Sequence, residues 1–230
     1  MKISKETRKA AFVATLPVMT GYLVLGFGFG IVLRAAEYGV LMAFVMSLTV
    51  YAGSMQYVAV GLLTSGASLL TVSLTTLMVN ARHLFYGISM LGKYRTTGAA
   101  KPYLIFALTD ETYSLVCGEL PQIPESGKRG YYLLVSLLNH AYWIVGSVAG
   151  AVVGTLVKFN SEGIDFALTA LFVTVFLEQW LSSKKHFSAI VGVLVSVACL
   201  LLFGSDRFLI PTMLLIALVL SLYREEKAHE

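Results

Sequence analysis

The sequence predicts an all-α membrane protein: a polytopic bundle of transmembrane helices built from about seven or eight apolar segments. Three observations carry that expectation. Of 230 residues, 57% are hydrophobic and only 13% charged, about half the charge of an ordinary soluble domain, and the mean hydropathy is +0.77. The apolar residues fall in runs of roughly 18–25, the length that spans a ~30 Å hydrocarbon core at 1.5 Å per residue. The runs are continuous and lack period-two alternation, which points to helices and away from a barrel.

Eight runs can be drawn, at approximately 11–33, 39–63, 67–91, 103–118, 131–157, 164–182, 187–203 and 207–222. The first follows Lys2, Lys5, Arg8 and Lys9. It is longer than the core of a signal peptide, so it reads as a transmembrane segment with its cationic end in the cytoplasm. Pro17, Gly21, Gly26, Gly28 and Gly30 make it a candidate for a bent or discontinuous helix. The fourth, seventh and eighth runs are short for full spans and are candidates for tilted, re-entrant or broken segments. Between the fourth and fifth, Pro121, Pro124, Ser126 and Gly127 mark a loop. No separate soluble domain fits, and residues 1–230 read as a single integral membrane transport domain.

With eight full spans, the N-terminus, the 119–130 loop, Lys184–Lys185 and the C-terminus share the cytoplasmic side, while Lys93, Arg95 and Lys101 fall outside. A re-entrant segment among the first three runs would move those three charges inside at a similar overall score. Segment Gly26–Gln56 also resembles Gly146–Gln179, displaced by about 120 residues, as a parallel internal repeat would. Cys117 and Cys199 lie at the end of one run and inside another, so they read as apolar fillers and not as a disulfide or metal site. No cofactor or metal is implied. The net charge of +4 sits at the run ends and suggests no nucleic-acid partner.

Polar residues inside the apolar runs are the candidate functional residues, because charge near a span centre costs about 2.5–3.5 kcal/mol. In the second run these are Gly53, Ser54 and Gln56, within YAGSMQY, lining a cavity or gluing two helices. In the third they are Asn80, Arg82 and His83, serving anion binding, an internal ion pair or an interfacial role. In the fourth, Asp110 and Glu111 lie about as deep as Arg82 if their spans are antiparallel, so Arg82 is expected to pair with one of them. The alternative is a late helix start, with both carboxylates at a wet N-terminus. Asn139 and Tyr142 in the fifth run, with Trp143, extend the face of a small-residue ridge, Gly146, Gly150 and Gly154. Asp165 reads as a helix cap, and Glu178 with Gln179 as interfacial.

Taken in order, Pro17, the Gly26–Gly30 patch, YAGSMQY (51–57), NARH (80–83), TDE (109–111) and DFALTALF (165–172) resemble the AzlC family of branched-chain amino acid permeases, which includes YgaZ-like exporter subunits. The chain departs from the pattern at Thr169, where proline is expected. The resemblance spans nearly the whole chain. It implies a bacterial inner-membrane exporter of branched-chain amino acids, valine-like and extending to methionine, acting with a small AzlD-type membrane subunit in the lipid bilayer. It carries over no catalytic residue, so the site residues rest on the polar-in-lipid argument alone.

A secondary carrier needs an apolar pocket with polar groups for an ammonium and a carboxylate, and Arg82 with Asp110 or Glu111 supplies both signs. A channel or scaffolding subunit is the alternative. An intramembrane enzyme is less favoured: Ser54 with His83 or His140 lacks a GxSxG setting, and there is no HExxH pair. ATP drive from this chain is not expected without a GxxxxGK[ST] loop.

Overall fold

The computed structural model describes residues 3–118, 120–121, 123–156 and 186–204, with isolated positions between 173 and 222. Asp165, Thr169, Glu178, Gln179, Lys184–Lys185, the second copy of the proposed repeat beyond Leu156 and most of runs 164–182 and 207–222 lie outside the described residues. Every described regular element is helical: α1 (Lys5–Ala35), α2 (Val40–Thr49), α3 (Gly53–Thr64), α4 (Leu69–Val79), α5 (Ala81–Met90), a 3₁₀ segment (Lys93–Ala100), α6 (Lys101–Phe106), α7 (Asp110–Cys117), α8 (Glu125–Leu156) and α9 (Phe187–Phe203). The chain divides into two compact units, Met1–Leu168 and Thr169–Glu230. The second contains α9, an apolar helix whose Cys199 is buried. The first contains everything that follows.

Its spine is the pair α1 and α8. Ser4 caps α1 by accepting from the Thr7 amide, and the helix runs unbroken for 31 residues through Pro17. The discontinuity for which its proline and glycines made it a candidate does not occur, and Gly26 and Gly30 serve packing against α8. A Cβ on Gly30 would sit 2.1 Å from the Ser147 carbonyl, and one on Gly150 only 1.9 Å from the Phe27 carbonyl. Gly26 and Gly146 meet in the same way. Helices that share an apolar solvent gain little from burial, so close backbone approach is what holds them. Gly127 lies beside Thr7 and Gly154 beside Arg34, so the two helices run parallel. Their contacts are reciprocal: Gly26 meets Gly146 and Gly30 meets Gly150, each pair about 120 residues apart. That spacing equals the displacement of the proposed repeat, most of whose second copy lies outside the described residues.

The second apolar run, expected as one span, is a hairpin. α2 starts at the C-terminal end of the spine, where α1 finishes, and its Ser47 carbonyl meets His140 midway along α8. The chain turns at Val50–Ala52, with Tyr51 at φ +43°. On the way back, Gln56 Nε2 donates to Ser47 Oγ at 3.3 Å across the hairpin. Tyr57 then reaches the Leu25 carbonyl and the Phe29 ring, so α3 returns to the end from which α2 came.

The fourth run is the mirror of this. The 3₁₀ segment lies at the N-terminal end of the spine, with Tyr94 against Tyr132 and Gly98 beside Arg129. From there α6 enters, the chain turns at Ala107–Thr109, and α7 leaves to the same end, Leu104, Leu108 and Val116 sharing one core with Ala11 and Tyr131. Lys93 Nζ donates to the carbonyls of Cys117 (2.6 Å) and Gly118 (2.8 Å), neutralising the partial negative charge where α7 stops. Between the hairpins, α4 and α5 pass from one end of the spine to the other with a break at Asn80.

Two expectations are corrected. Lys93, Arg95 and Lys101 lie at the same end as the N-terminus, because α2–α3 doubles back; the eight-span arrangement put them opposite. The Arg82 partner is found, but on parallel half-helices: α5 and α7 both start mid-molecule and run to the same end. Among the described residues, α1 and α8 are the two helices long and apolar enough to cross a membrane unaided.

Candidate functional site

Three helices begin at mid-height, α3 at Gly53, α5 at Ala81 and α7 at Asp110, and their first turns meet. Arg82, in the first turn of α5, places Nη1 2.6 Å from Asp110 Oδ2 at the start of α7. Its Nη2 donates to Ser54 Oγ in the first turn of α3, 3.1 Å away. One guanidinium therefore ties both hairpin tips to the helix break. Below this tie, Tyr86 of α5 stacks on Tyr113 of α7 with centroids 4.4 Å apart, and Ser89 donates to the Tyr113 hydroxyl. Arg82 and Asp110 keep 37% and 31% of their side-chain surface exposed, so a solute can reach them.

Behind the ion pair the second carboxylate has a different partner. Tyr22 of α1 donates to Glu111 Oε2 at 2.6 Å and lies 2.6 Å from Thr109 Oγ1. Thr109 caps α7 by accepting from the Thr112 amide, and Thr112 Oγ1 accepts from Asn139 Nδ2 at 3.0 Å. The expected pairing with Arg82 is found at Asp110, whereas the late helix start is not: α6 precedes the carboxylates, which stand at a second helix N-terminus inside the run.

The first hairpin tip is held just as closely. Trp143 Nε1 donates to Gln56 Oε1 at 2.8 Å, and the same indole occupies the space above Gly53, where a Cβ would come within 2.9 Å of its edge. Gln56 is fully buried. It is a fastening of the hairpin to α8 and not a group open to solute. Tyr51 stacks on His140 at 4.1 Å, and His140 Nδ1 meets the Tyr103 hydroxyl at 3.2 Å.

The structure brings together Ser54, Arg82, Asp110 and Glu111, with Asn139 one residue further back. Gly53 and Gln56 lie beside them as packing. Asn80 is the break itself, its carbonyl accepting from the His83 amide. The His83 ring turns back to the same carbonyl and to Tyr86. Tyr142 faces Thr15, away from the ion pair. Tyr51, Thr109 and Thr112, neighbours of the chosen residues in the same polar clusters, complete the site with Tyr22, which the sequence reading did not single out. Four buried polar atoms of this network have no hydrogen-bond partner: Tyr51 Oη, Arg82 Nε, Asp110 Oδ1 and Asn139 Oδ1. Buried polar atoms are ordinarily satisfied, and these four lie around the Arg82–Asp110 pair and the hairpin tips. Tyr51 among them is at positive φ, where a bulky residue is strained, and such strain gathers at functional sites.

Known proteins resemble this chain along most of its length. The branched-chain amino acid transport protein AzlC of Bacillus subtilis is 45% identical over 96% of this chain and 87% of its own length. An uncharacterized membrane protein of Helicobacter pylori is 41% identical over 95% of each chain. The inner membrane protein YgaZ of Escherichia coli is 25% identical over 89% of this chain and 84% of its own. No solved structure matches the chain significantly. The family model described as AzlC protein matches residues 17–157, which run from within α1 to the end of α8 and include every residue of the ion-pair network, and the chain belongs to the AzlC family.

Proposed function

We propose that this chain is an integral membrane carrier that exports branched-chain amino acids from the bacterial cytoplasm, through the point where the two hairpin tips meet the break at Asn80. The observation that carries the reading is the Arg82–Asp110 pair at that junction. Irregular backbone at membrane depth is tolerated where it is buried in protein or lines a cavity, and broken helices mark the binding sites of many carriers. An amino acid offers one charge of each sign, and the junction offers both complements. The branched-chain class follows the name of the Bacillus subtilis relative.

Orientation follows from charge. Among the described residues of the first unit, Lys5, Arg8, Lys9, Lys93, Arg95, Lys101, Lys128 and Arg129 lie at one end of the spine and Arg34 at the other. The positive-inside rule puts the first end in the cytoplasm. The spine helices and the α4–α5 pair cross the multi-pass fold, while the hairpins enter from opposite faces. The α4 helix buries none of its residues within this chain. Its outer face meets lipid or a small AzlD-type subunit, the partner that the family resemblance implies.

The test is efflux of labelled valine, leucine, isoleucine and methionine from proteoliposomes, with and without such a subunit. Saturable efflux is the expected result; non-saturating flux would make the chain a channel, and none in either preparation would reject the carrier. The topology is checked by impermeant thiol labelling in a background without Cys117 and Cys199. Thr96→Cys is expected to react from the cytoplasmic face and Ser65→Cys from the other.

A further inference from the structure

We infer that the Arg82–Asp110 pair is a resting contact that a zwitterion replaces, Asp110 standing in for the substrate's own carboxylate. The inference rests on the carrier reading above and specifies how that site selects its ligand. The first turns of α3, α5 and α7 meet through Ser54, Arg82 and Asp110, and helix N-termini favour an anion. Arg82 adds a full positive charge there, and the anion now held is Asp110 Oδ2. Arg82 Nε has no partner, and Asp110 Oδ1 has none of acceptable geometry although the Tyr86 hydroxyl lies close to the carboxylate. Close behind, Tyr51 is 3% exposed, and its hydroxyl lies near Tyr22, Thr112 and Glu111 without a hydrogen bond of acceptable geometry. Asn139 is fully buried with Oδ1 unpartnered and its amide on Thr112, in the first turn of α7. The place is thus a carboxylate site occupied by the protein's own carboxylate, with donors and acceptors to spare.

Charge conservation sets what can enter. A guest carboxylate that takes Arg82 releases Asp110, and a guest ammonium must then neutralise Asp110. A zwitterion performs both exchanges and leaves the local charge unchanged. A carboxylate alone strands Asp110, and an amine alone strands Arg82. The penalty for one stranded charge at membrane depth corresponds to roughly 100-fold in affinity. Selectivity for the intact amino acid therefore comes from the pair itself.

Ligand-induced thermal stabilisation of the detergent-purified full chain tests this, using valine, isovalerate (no amino group) and isobutylamine (no carboxyl group). The wild type is expected to bind valine roughly 100-fold more tightly than either analogue. Asp110→Asn frees Arg82 and is expected to bind isovalerate at least about tenfold better than wild type while losing affinity for valine. Arg82→Gln is expected to do the same for isobutylamine. A pair that only staples α5 to α7 would lose valine binding in both variants with no gain for either analogue, and that result overturns the inference while leaving the carrier intact. So would wild-type binding of isovalerate within about tenfold of valine, which decides the matter even if neither variant folds. Absence of amino-acid binding and efflux in the wild type would overturn the carrier reading as well.

Discussion

The spine and the hairpin tips solve opposite problems with the same chain. Along α1 and α8 the backbone is continuously helical, the closest contacts are glycine against backbone, and at Gly30 and Gly150 the approach is too close for a side chain to be added. At the tips the helices stop short, Tyr51 is strained, and four polar atoms lack partners. Helices that meet backbone to backbone have no slack, whereas half-helices of eight to twelve residues, α3, α5 and α7, are too short to cross ~30 Å and place their N-termini inside. Rigidity is concentrated in the spine so that the irregular part can stay irregular.

That contrast can be broken most severely at the spine. Gly150→Ala puts a methyl 1.9 Å from the Phe27 carbonyl, where no flexible side chain can yield. The expected loss is about 3 kcal/mol or more, read as a collapse of the melting temperature or of the amount accumulated in membranes. Gly61→Ala, with no atom within 4 Å of its Cβ, is the control and should melt at or slightly above wild type. Gln56→Ala comes next. It leaves Trp143 Nε1 and Ser47 without their shared partner inside the protein, a cost of about 1–3 kcal/mol in the same melt. Gly53→Ala presses on a movable indole edge 2.9 Å away and should cost about 1–2 kcal/mol. Trp143→Phe should recover part of that cost, so a double-mutant cycle without coupling would dismiss the contact. The smallest effect is expected from Lys93→Met, which strips the carbonyl ends of α7 of their cation. It should lower stability by about 0.3–1 kcal/mol, with faster amide exchange confined to the end of α7.

Sequence alone made the ion pair legible because Arg82 and Asp110 are opposite charges isolated in apolar runs, and each has to be neutralised by something at its own depth. The short fourth run was legible as a re-entrant candidate, but the hairpin could not be assigned to the second run. Hydropathy reports composition and not direction, so run 39–63 looks the same straight or doubled back. The fold-back signal was a polar residue on each side of the turn, Ser47 and Gln56, which now bond to one another. The same ambiguity left the side of Lys93, Arg95 and Lys101 open between eight full spans and a re-entrant segment among the first three runs, and the α2–α3 hairpin is that segment. Tyr22 escaped notice because tyrosine is common in apolar runs; its signal was its position one turn before Gly26, on the face that meets α8. Tyr142 was chosen for its neighbours, yet helical geometry turns it toward Thr15. The glycines of the first run suggested bending because flexibility and close packing call for the same residue.

The fastening of the first hairpin to α8 has a consequence for how the protein is made. Gln56 and its partner Trp143 are separated by 87 residues, and Ser47 and His140 by 93. At about 5–20 residues per second of synthesis, the hairpin leaves the ribosome about 4–17 s before the helix that secures it. Asn139 reaches Thr112 only after the same delay per residue, and α1 has nothing to receive Gly26 and Gly30 until Gly146 and Gly150 emerge. Through that interval a strained turn, a buried glutamine and two carboxylates wait in a nascent chain whose interior is not yet built. The arrival of one helix, late and long, converts them together from insertion hazards into a site.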